Sequence, residues 1–457
     1  MESSPDKVPH VLLVCFPGQG HINPFLRLAN LLASHGLLVT FCINKTTGTK
    51  MKPPDNNTSI QFDFFDEGLD DEQIKATPLD EFMNRLEETG RKALPEIIQT
   101  HSQKGQPVCC IVNNPFLPWV SDVAASLDIP SAIFWMQACA SFSCYYHYYK
   151  KLARFPTEDD PESDVVLPFM PVLKHDDIPT FLLPSTPYPY LATAVFDQFA
   201  YLDNDKVLCI LMETFQELEP EVIRHLSTFF HDKMIKPVGP VCLAGKISGG
   251  DLMEVDDNCI KWLDGKDESS VVYVSLGSIA SMDPTQREEF AYGLINSGLS
   301  FLWVVRPSPG EGDGPIVFPP GLEENGKVVK WAPQEEVLRH PAVACFVTHC
   351  GWNSTMEAIS GGKPVVTFSQ WGDQVLDAKL LVDVFEVGVK LGKTTKLVKR
   401  DVVERCLVEA TVGEKAEVLR RNATRLKKEA QAAVVKDGLS TRSIVEFVEE
   451  VKKRSFL

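Results

Sequence analysis

The sequence predicts an α/β protein with two Rossmann-like halves, each built on a parallel sheet, and three observations carry that expectation. Short apolar runs alternate with helical patterns along the chain. The alternation pauses at KPVGPVCLAGKISGG (236–250), a Pro- and Gly-containing linker, and then restarts. Polar residues of chemical interest gather where apolar runs end, which is where open α/β sheets bind ligands. The first half opens with HVLLVCF (10–16), an apolar helix FLRLANLLASHG (25–36) and LLVTFCI (37–43). Pro24 fits a first helical turn and Gly36 a C-terminal cap. Strand, helix and strand at this spacing form a βαβ unit with a right-handed crossover. Further strands are expected at VCCIVN (108–113), SAIFW (131–135) and KVLCILM (206–212), and a helix over LDEFMNRLEETGRKALPEIIQTH (79–101). Residues 154–190 carry eight prolines and no clear period, the mark of a loop region draped over a cleft.

After the linker come VVYVSLGS (271–278), a helix through QREEFAYGLINSG (286–298), FLWVV (301–305) and a Pro- and Gly-rich loop at 307–321. The tail STRSIVEFVEEVKKRSFL (440–457) has the spacing of an amphipathic helix. The expected division is therefore 1–240 and 241–437, with 438–457 as a closing helix.

Composition narrows the function. At 457 residues the chain exceeds one hydrophobic core. Its net charge of −17 and pI near 5.1 argue against nucleic acid, whose phosphates need a basic surface. The 12 cysteines are scattered, with Cys109 and Cys110 adjacent and no C-x-x-C pair, so no zinc framework is expected. MESSPDKVPH lacks the basic start of a signal peptide, and no apolar run approaches a membrane span. A cytoplasmic monomer with reduced thiols and no membrane partner is expected. On that expectation the Asn56-Asn57-Thr58 triplet carries no glycan.

Residues 331–374 carry most of the functional information. Trp331 follows the strand-like GKVVK. VACFVTH (343–349) predicts a buried strand, TMEAISGG a helix ending in glycine, and HCGWNS the turn between them. The unpaired amides of a helix start suit a diphosphate. PVVTFS (364–369) predicts another strand, which delivers Trp371, Asp373 and Gln374 from its end. Each feature has an ordinary explanation: Ser354 and Glu357 form the S-x-x-E of a capping box, His349 suits a strand end, and Asp373-Gln374 a solvated turn. Their joint occurrence is what needs explaining.

This pattern resembles the signature box of plant UDP-sugar-dependent glycosyltransferases. Trp331, Gln334, His349, Gly351, Trp352, Asn353, Ser354, Glu357, Asp373 and Gln374 stand at that family's spacing. The resemblance implies the GT-B architecture of two Rossmann-like domains, with the closing helix packed on the first. It implies that Trp331, beside Ala332, stacks on uracil and that Glu357 holds the ribose. His349, Asn353, Ser354 and Ser278 would contact the diphosphate, with Gln334 and Gly351 in the same set. Trp352, Asp373 and Gln374 would read the sugar, and Gln374 looks like the glucose-preferring form. UDP-glucose is then the co-substrate, with no cofactor and no metal, because no D-x-D element appears where a metal-dependent transferase would use one and helix-start amides can replace a cation. Displacement should be in-line and inverting.

His21, in GQGH between the first strand and helix, is the expected general base; the competing reading is a histidine that buttresses the helix. Most of the family carries an aspartate after the fourth strand to orient this histidine, whereas alignment through CIVNNPFLPW places Asn114 there. An amide orients a ring but cannot offset an imidazolium charge, so the base should be weak. A weak base suffices for an acidic acceptor: a carboxylic acid is already ionised near neutrality, whereas ionising a phenol of pKa near 10 costs roughly 4 kcal/mol.

The NNPF form, together with FFDEGL, FWMQACASFSCYYHYYK, LPSTPYPY and SQWGDQVLDAKLLVDVF, resembles the subfamily forming glucose esters of gallic, cinnamic and limonoid acids. Lys363 and Ser369 depart from it, where a small apolar residue and a proline are usual. C-glucosylation of an acidic polyphenol such as a polyhydroxybenzophenone meets the same chemical condition, and general phenol O-glucosylation is the alternative. Phe116, Gln137, Phe142, Tyr146 and Tyr188 are the acceptor-site candidates, although an aromatic stripe is usually core. A nucleotide-sugar oxidoreductase or epimerase would need a dinucleotide fingerprint; PGQGH lacks the G-x-G-x-x-G form, and Tyr146 to Lys150 alone is only Y-x-x-x-K.

Overall fold

Apolar runs free of internal charge and bounded by turn residues fold here as parallel strands buried on both faces. The computed structural model describes residues 8–51, 60–202, 206–230, 234–243, 258–278, 280–307, 316–393 and 396–455. The rest of the expected linker (244–250), the Asn56-Asn57-Thr58 triplet and residues 308–315 of the second loop lie outside the described residues.

The first sheet contains β1 (His10–Val14), β2 (Leu38–Asn44), β3 (Ile60–Phe65), β4 (Val108–Asn113), β5 (Ser131–Trp135), β6 (Val207–Met212) and β7 (Ile235–Pro237). Their order is β3-β2-β1-β4-β5-β6-β7 and every pairing is parallel. The second contains β8 (Val271–Ser275), β9 (Ser300–Val304), β10 (Gly326–Val329), β11 (Val343–Thr348), β12 (Val365–Ser369) and β13 (Gly388–Lys393). Its order, β10-β9-β8-β11-β12-β13, repeats the same wiring, again all parallel. In each sheet the winding reverses beside the first strand, between β1 and β4 and between β8 and β11. Those two reversals are where a doubly wound sheet opens a crevice for a ligand.

The chain forms two compact units, 1–152 with 187–252 and 433–457, and 153–186 with 253–432. The proline-rich stretch thus groups with the second sheet, although it interrupts the sequence of the first. Val11, Leu13, Phe25, Phe41, Val112 and Phe134 belong to the first core. Ile444, Phe447, Val448 and Val451 of the closing helix Leu439–Ser455 complete it. Val272, Val274, Phe290, Phe301, Trp303, Val347 and Phe368 belong to the second.

One local expectation is corrected. The first helix runs Gln19–Ser34, so Pro24 sits inside it rather than in its first turn. Gly18 is extended, at φ −117° and ψ 140°, and the helix starts directly after it. The bond that Pro24 cannot make is one among those of a 16-residue helix, whose buried face (Ile22, Phe25, Leu28, Leu32) keeps it in place. The early start places His21 in the first turn, where its N–H donates to Gly18 O at 2.8 Å.

Candidate active site

At the reversal of the first sheet, β1 leads to His21 and β4 ends one residue before Asn114. Asn114, fully buried, donates from Nδ2 to His21 Nδ1 at 2.9 Å. Its Oδ1 accepts from the Phe116 N–H at 3.0 Å. A backbone N–H can only donate, so that bond fixes which way the amide points. The NH2 group must then face the imidazole, Nδ1 must accept, and the neutral ring carries its proton on Nε2. Burial holds the His21 pKa down to about 4. The ring is therefore neutral near pH 7. Phe16 and Phe116 flank it with ring centroids 4.8 and 5.3 Å away. Phe16 did not stand out in the sequence, because an aromatic ending a strand is indistinguishable there from core.

Of the other acceptor candidates, Gln137 is 9% exposed, with its Oε1 buried and lacking a partner among the described residues. Tyr188, half-buried, precedes the helix Pro189–Tyr201. Phe142, 1% exposed, packs against Trp135, Phe199 and Phe230, and Tyr146 joins the same cluster. These two rings are spent on core packing.

In the second unit β11 ends at Thr348 and the helix Trp352–Gly361 begins after Gly351. The N-cap residue is Gly351, which has no side chain to make a cap bond, so the capping box expected of Ser354 and Glu357 does not form. Gly351 is the N-cap and Ser354 lies too far into the helix to cap it. Ser354 Oγ instead accepts from Gln334 Nε2 at 2.9 Å, and Glu357 Oε2 accepts from the same nitrogen at 2.8 Å. Tyr273 OH donates to Gln334 Oε1 at 3.3 Å. Gln334 thereby bridges β8 to the helix and aims Glu357, next to the half-buried Trp331 and the buried Ala332.

His349 stands beside this helix start, with Nδ1 buried and lacking a partner among the described residues. Burial, with Arg306 nearby, lowers its pKa to about 4. Its ring fits only because two neighbours are glycine. A Cβ on Gly277 would sit 2.6 Å from Cε1, and one on Gly351 2.5 Å from Nε2. Cys350, between His349 and Gly351, adopts φ +67°, a conformation that costs a non-glycine residue energy and often accompanies a site. Arg306 donates to the carbonyls of Ser278, Gly277 (2.6 Å) and Ala280 (3.0 Å), which holds the loop after β8. A helix start, an orphaned imidazole nitrogen and a guanidinium behind the loop are together features that can take up an anion.

Beyond β12, Gln374 Oε1 accepts from the N–H groups of Gln370 and Trp371 at 3.0 and 3.3 Å. The side chain thus folds its own turn and leaves the NH2 group to present. Asp373 immediately precedes the helix Gln374–Lys379. Lys363, by contrast, donates to the carbonyls of His340 and Val343, at the start of β11. That is the opposite end of the strands from this site. Among the described residues no group of three or more His, Cys, Asp or Glu is placed to hold a metal, and no helix is long and apolar enough to cross a membrane.

A model of the family described as UDP-glucoronosyl and UDP-glucosyl transferase matches residues 205–419. A gallate 1-beta-glucosyltransferase of Punica granatum is 50% identical to this chain, over 98% of it and 90% of the relative. The chain belongs to the UDP-glycosyltransferases. A limonoid UDP-glucosyltransferase of Citrus unshiu is 48% identical to this glycosyltransferase, over 98% of it and 91% of the relative. Among solved structures, Os79 of O. sativa in complex with UDP superposes with a TM-score of 0.85 at 32% identity, covering 96% of this glycosyltransferase and all of Os79. The two parallel-sheet units are those of this enzyme family.

Proposed function

We propose that this enzyme transfers glucose from UDP-glucose, with inversion, to an aromatic acceptor that binds as an anion. The observation that carries the reading is the bond from Phe116 N–H to Asn114 Oδ1. Through it His21 keeps a hydrogen on Nε2 and presents a donor, which suits an acceptor that is already ionised. An aromatic carboxylate fits directly: one oxygen accepts from Nε2–H and the other attacks the anomeric carbon. The bond from that carbon to UDP breaks, UDP leaves with the electron pair, and a glucose ester forms. The roughly 50% identity to gallate glucosyltransferases supports this first choice.

A polyphenolate is the second reading, and the same hydrogen supports it. A phenolate oxygen held at Nε2–H is occupied, so the electron-rich ring carbon beside it becomes the nucleophile. A C-glucoside then forms, and the ring proton passes to water as aromaticity returns. Ser369 lies at the end of β12, next to the Gln370–Gln374 turn; it departs from the proline usual in the ester-forming subfamily's pattern, and that departure supports this second reading.

For the donor, Trp331 and Ala332 would take uracil and Glu357, held by Gln334, the ribose. Ser278, His349, Gly351, Asn353 and Ser354 would take the diphosphate, and Trp352, Asp373 and Gln374 the glucose. Leaving-group charge is met by helix-start amides and the neutral His349, so no step calls on a metal ion. The test supplies UDP-glucose with gallic acid, cinnamic acid, a trihydroxybenzophenone and a monohydroxy phenol near pH 7. Alkali then sorts the products, because esters hydrolyse and C-glucosides survive. The acids or the acidic benzophenone should be turned over at least tenfold better than the simple phenol, following the ionisation cost. Equal or faster transfer to the simple phenol would remove the anionic-acceptor reading.

A further inference from the structure

The proline-rich stretch brings a strap, residues 174–182, against the turn that carries Trp371, Asp373 and Gln374. Thr180 N–H donates to Gly372 O at 3.0 Å, and Gly372 N–H donates back to Thr180 Oγ1 at 2.7 Å. The Phe181 ring lies 6.0 Å from that of Trp371. Three residues before Thr180, Asp177, 5% exposed, meets Lys379 Nζ at 3.2 Å and Lys390 Nζ at 3.5 Å. Lys379 ends the α-helical part of the helix that Gln374 begins, which runs on as a π-helix over Leu380–Val384. The strap therefore holds this helix at two places, the turn before its start and the last residue of its α-helical part. From its other side the turn is held by Gln374 Oε1 and by Gln370 Nε2, which donates to Ser281 O at 2.7 Å.

We propose that Thr180 is a positioning residue for donor-sugar recognition, setting where Asp373 and the Gln374 NH2 group stand against the hexose. This inference rests on the reading that Asp373 and Gln374 contact the sugar. Gln374 spends its carbonyl inside the turn, so its remaining donor moves wherever the turn moves. A reciprocal pair of bonds on Gly372 fixes that turn in two directions, and a misplacement of about 1 Å at such a contact can cost on the order of a hundredfold in rate. The uracil and diphosphate groups lie on other segments, 331–334 and 349–354, so the strap should leave UDP binding alone.

The test uses the full chain with Thr180→Val, which keeps shape and removes the acceptor oxygen, Thr180→Ser, which keeps the oxygen, and Asp177→Asn. Titration calorimetry with UDP reports folding and nucleotide binding, and steady-state kinetics compare UDP-glucose with UDP-galactose. Thr180→Val should lower kcat/KM for UDP-glucose about tenfold, the size of one bond of roughly 1.4 kcal/mol, and narrow the glucose-to-galactose ratio. UDP affinity should stay within about twofold, since no bond to the nucleotide is touched. Thr180→Ser should match the parent, and Asp177→Asn should shift the ratio in the same direction by less. Unchanged kinetics in Thr180→Val, or parallel loss of UDP and UDP-glucose binding, would overturn the proposal. Gln374→Ala separates this failure from that of the donor reading. If it too leaves the sugar ratio untouched, the assignment of the turn to the hexose fails; if it alone shifts the ratio, the strap fails.

Discussion

At Asn114 a single amide orientation decides what the neighbouring histidine offers. Asn114→Asp tests this directly, because a carboxylate can accept from Phe116 N–H and from His21 at once. The Nδ1 proton then returns, the Nε2 lone pair is freed, and the new negative charge raises the His21 pKa from about 4. General-base catalysis is worth about 10² or more, so kcat/KM for a monohydroxy phenol should rise at least tenfold, while transfer to cinnamate should fall because the Nε2–H that holds its carboxylate is lost. An acid limb should appear in the phenol's pH profile as the raised histidine titrates. No gain on the phenol would mean that the amide orientation is not what limits the acceptor range. The identity of Asn114 was legible in the sequence. Its orientation was not, because it depends on a backbone N–H two residues on, which no motif records. Gln334 shows the same limit: spacing singled it out, but only the fold reveals it as the bridge between Tyr273, Ser354 and Glu357.

The turns that carry these residues depend on close approach more than on side-chain chemistry. Gly351→Ala would drive a methyl into His349 Nε2, and Gly277→Ala would combine a 2.6 Å clash with a strained φ of +72°. Either should weaken UDP binding at least tenfold by calorimetry, since the imidazole must leave the helix start. Binding within twofold of the parent would show that His349 does not serve the nucleotide. At this scale the sequence was readable where strands lie inside a sheet: 108–113 and 131–135 coincide with β4 and β5. The strands it did not mark are β3, β7 and β13. All three lie at sheet edges, where one side is unpaired and Gln, Asp, Lys and Gly interrupt the apolar signal. The helix Trp352–Gly361 was readable from its glycine stop, yet the capping box that seemed to start it is absent. Ser354 and Glu357 are used for Gln334 instead.

For the whole molecule, two α/β halves follow from the restart of the strand–helix alternation. The placement of 153–186 does not, because its ties to the second unit are long-range, such as Asp177 to Lys379 and Lys390. Charge balance adds a property that no single motif shows. His10, His21 and His349 are each held neutral with pKa values near 4, chiefly by burial. In the unfolded chain each returns to about 6.5. Between pH 6.5 and pH 4 the unfolded chain therefore binds more protons than the folded one. Stability is complete above pH 6.5 and falls as pH drops through that window, by about 1.4 kcal/mol per pH unit for each proton taken up. Glu219 and Asp197 oppose this, because burial raises their pKa values and the folded state gains those protons first; His225, lowered by burial, adds to the other side, and two carboxyls do not offset four imidazoles. Thermal unfolding should show Tm falling by several degrees from pH 7 to pH 5, and His10→Gln should flatten the slope by about one proton's share. The His10 bonds to Thr40 and Gln106 lie at the start of β1, at the opposite end of that strand from His21, so the variant should keep its transferase activity at pH 7. A Tm that stays level or rises over this range would show that the buried histidines do not govern acid stability.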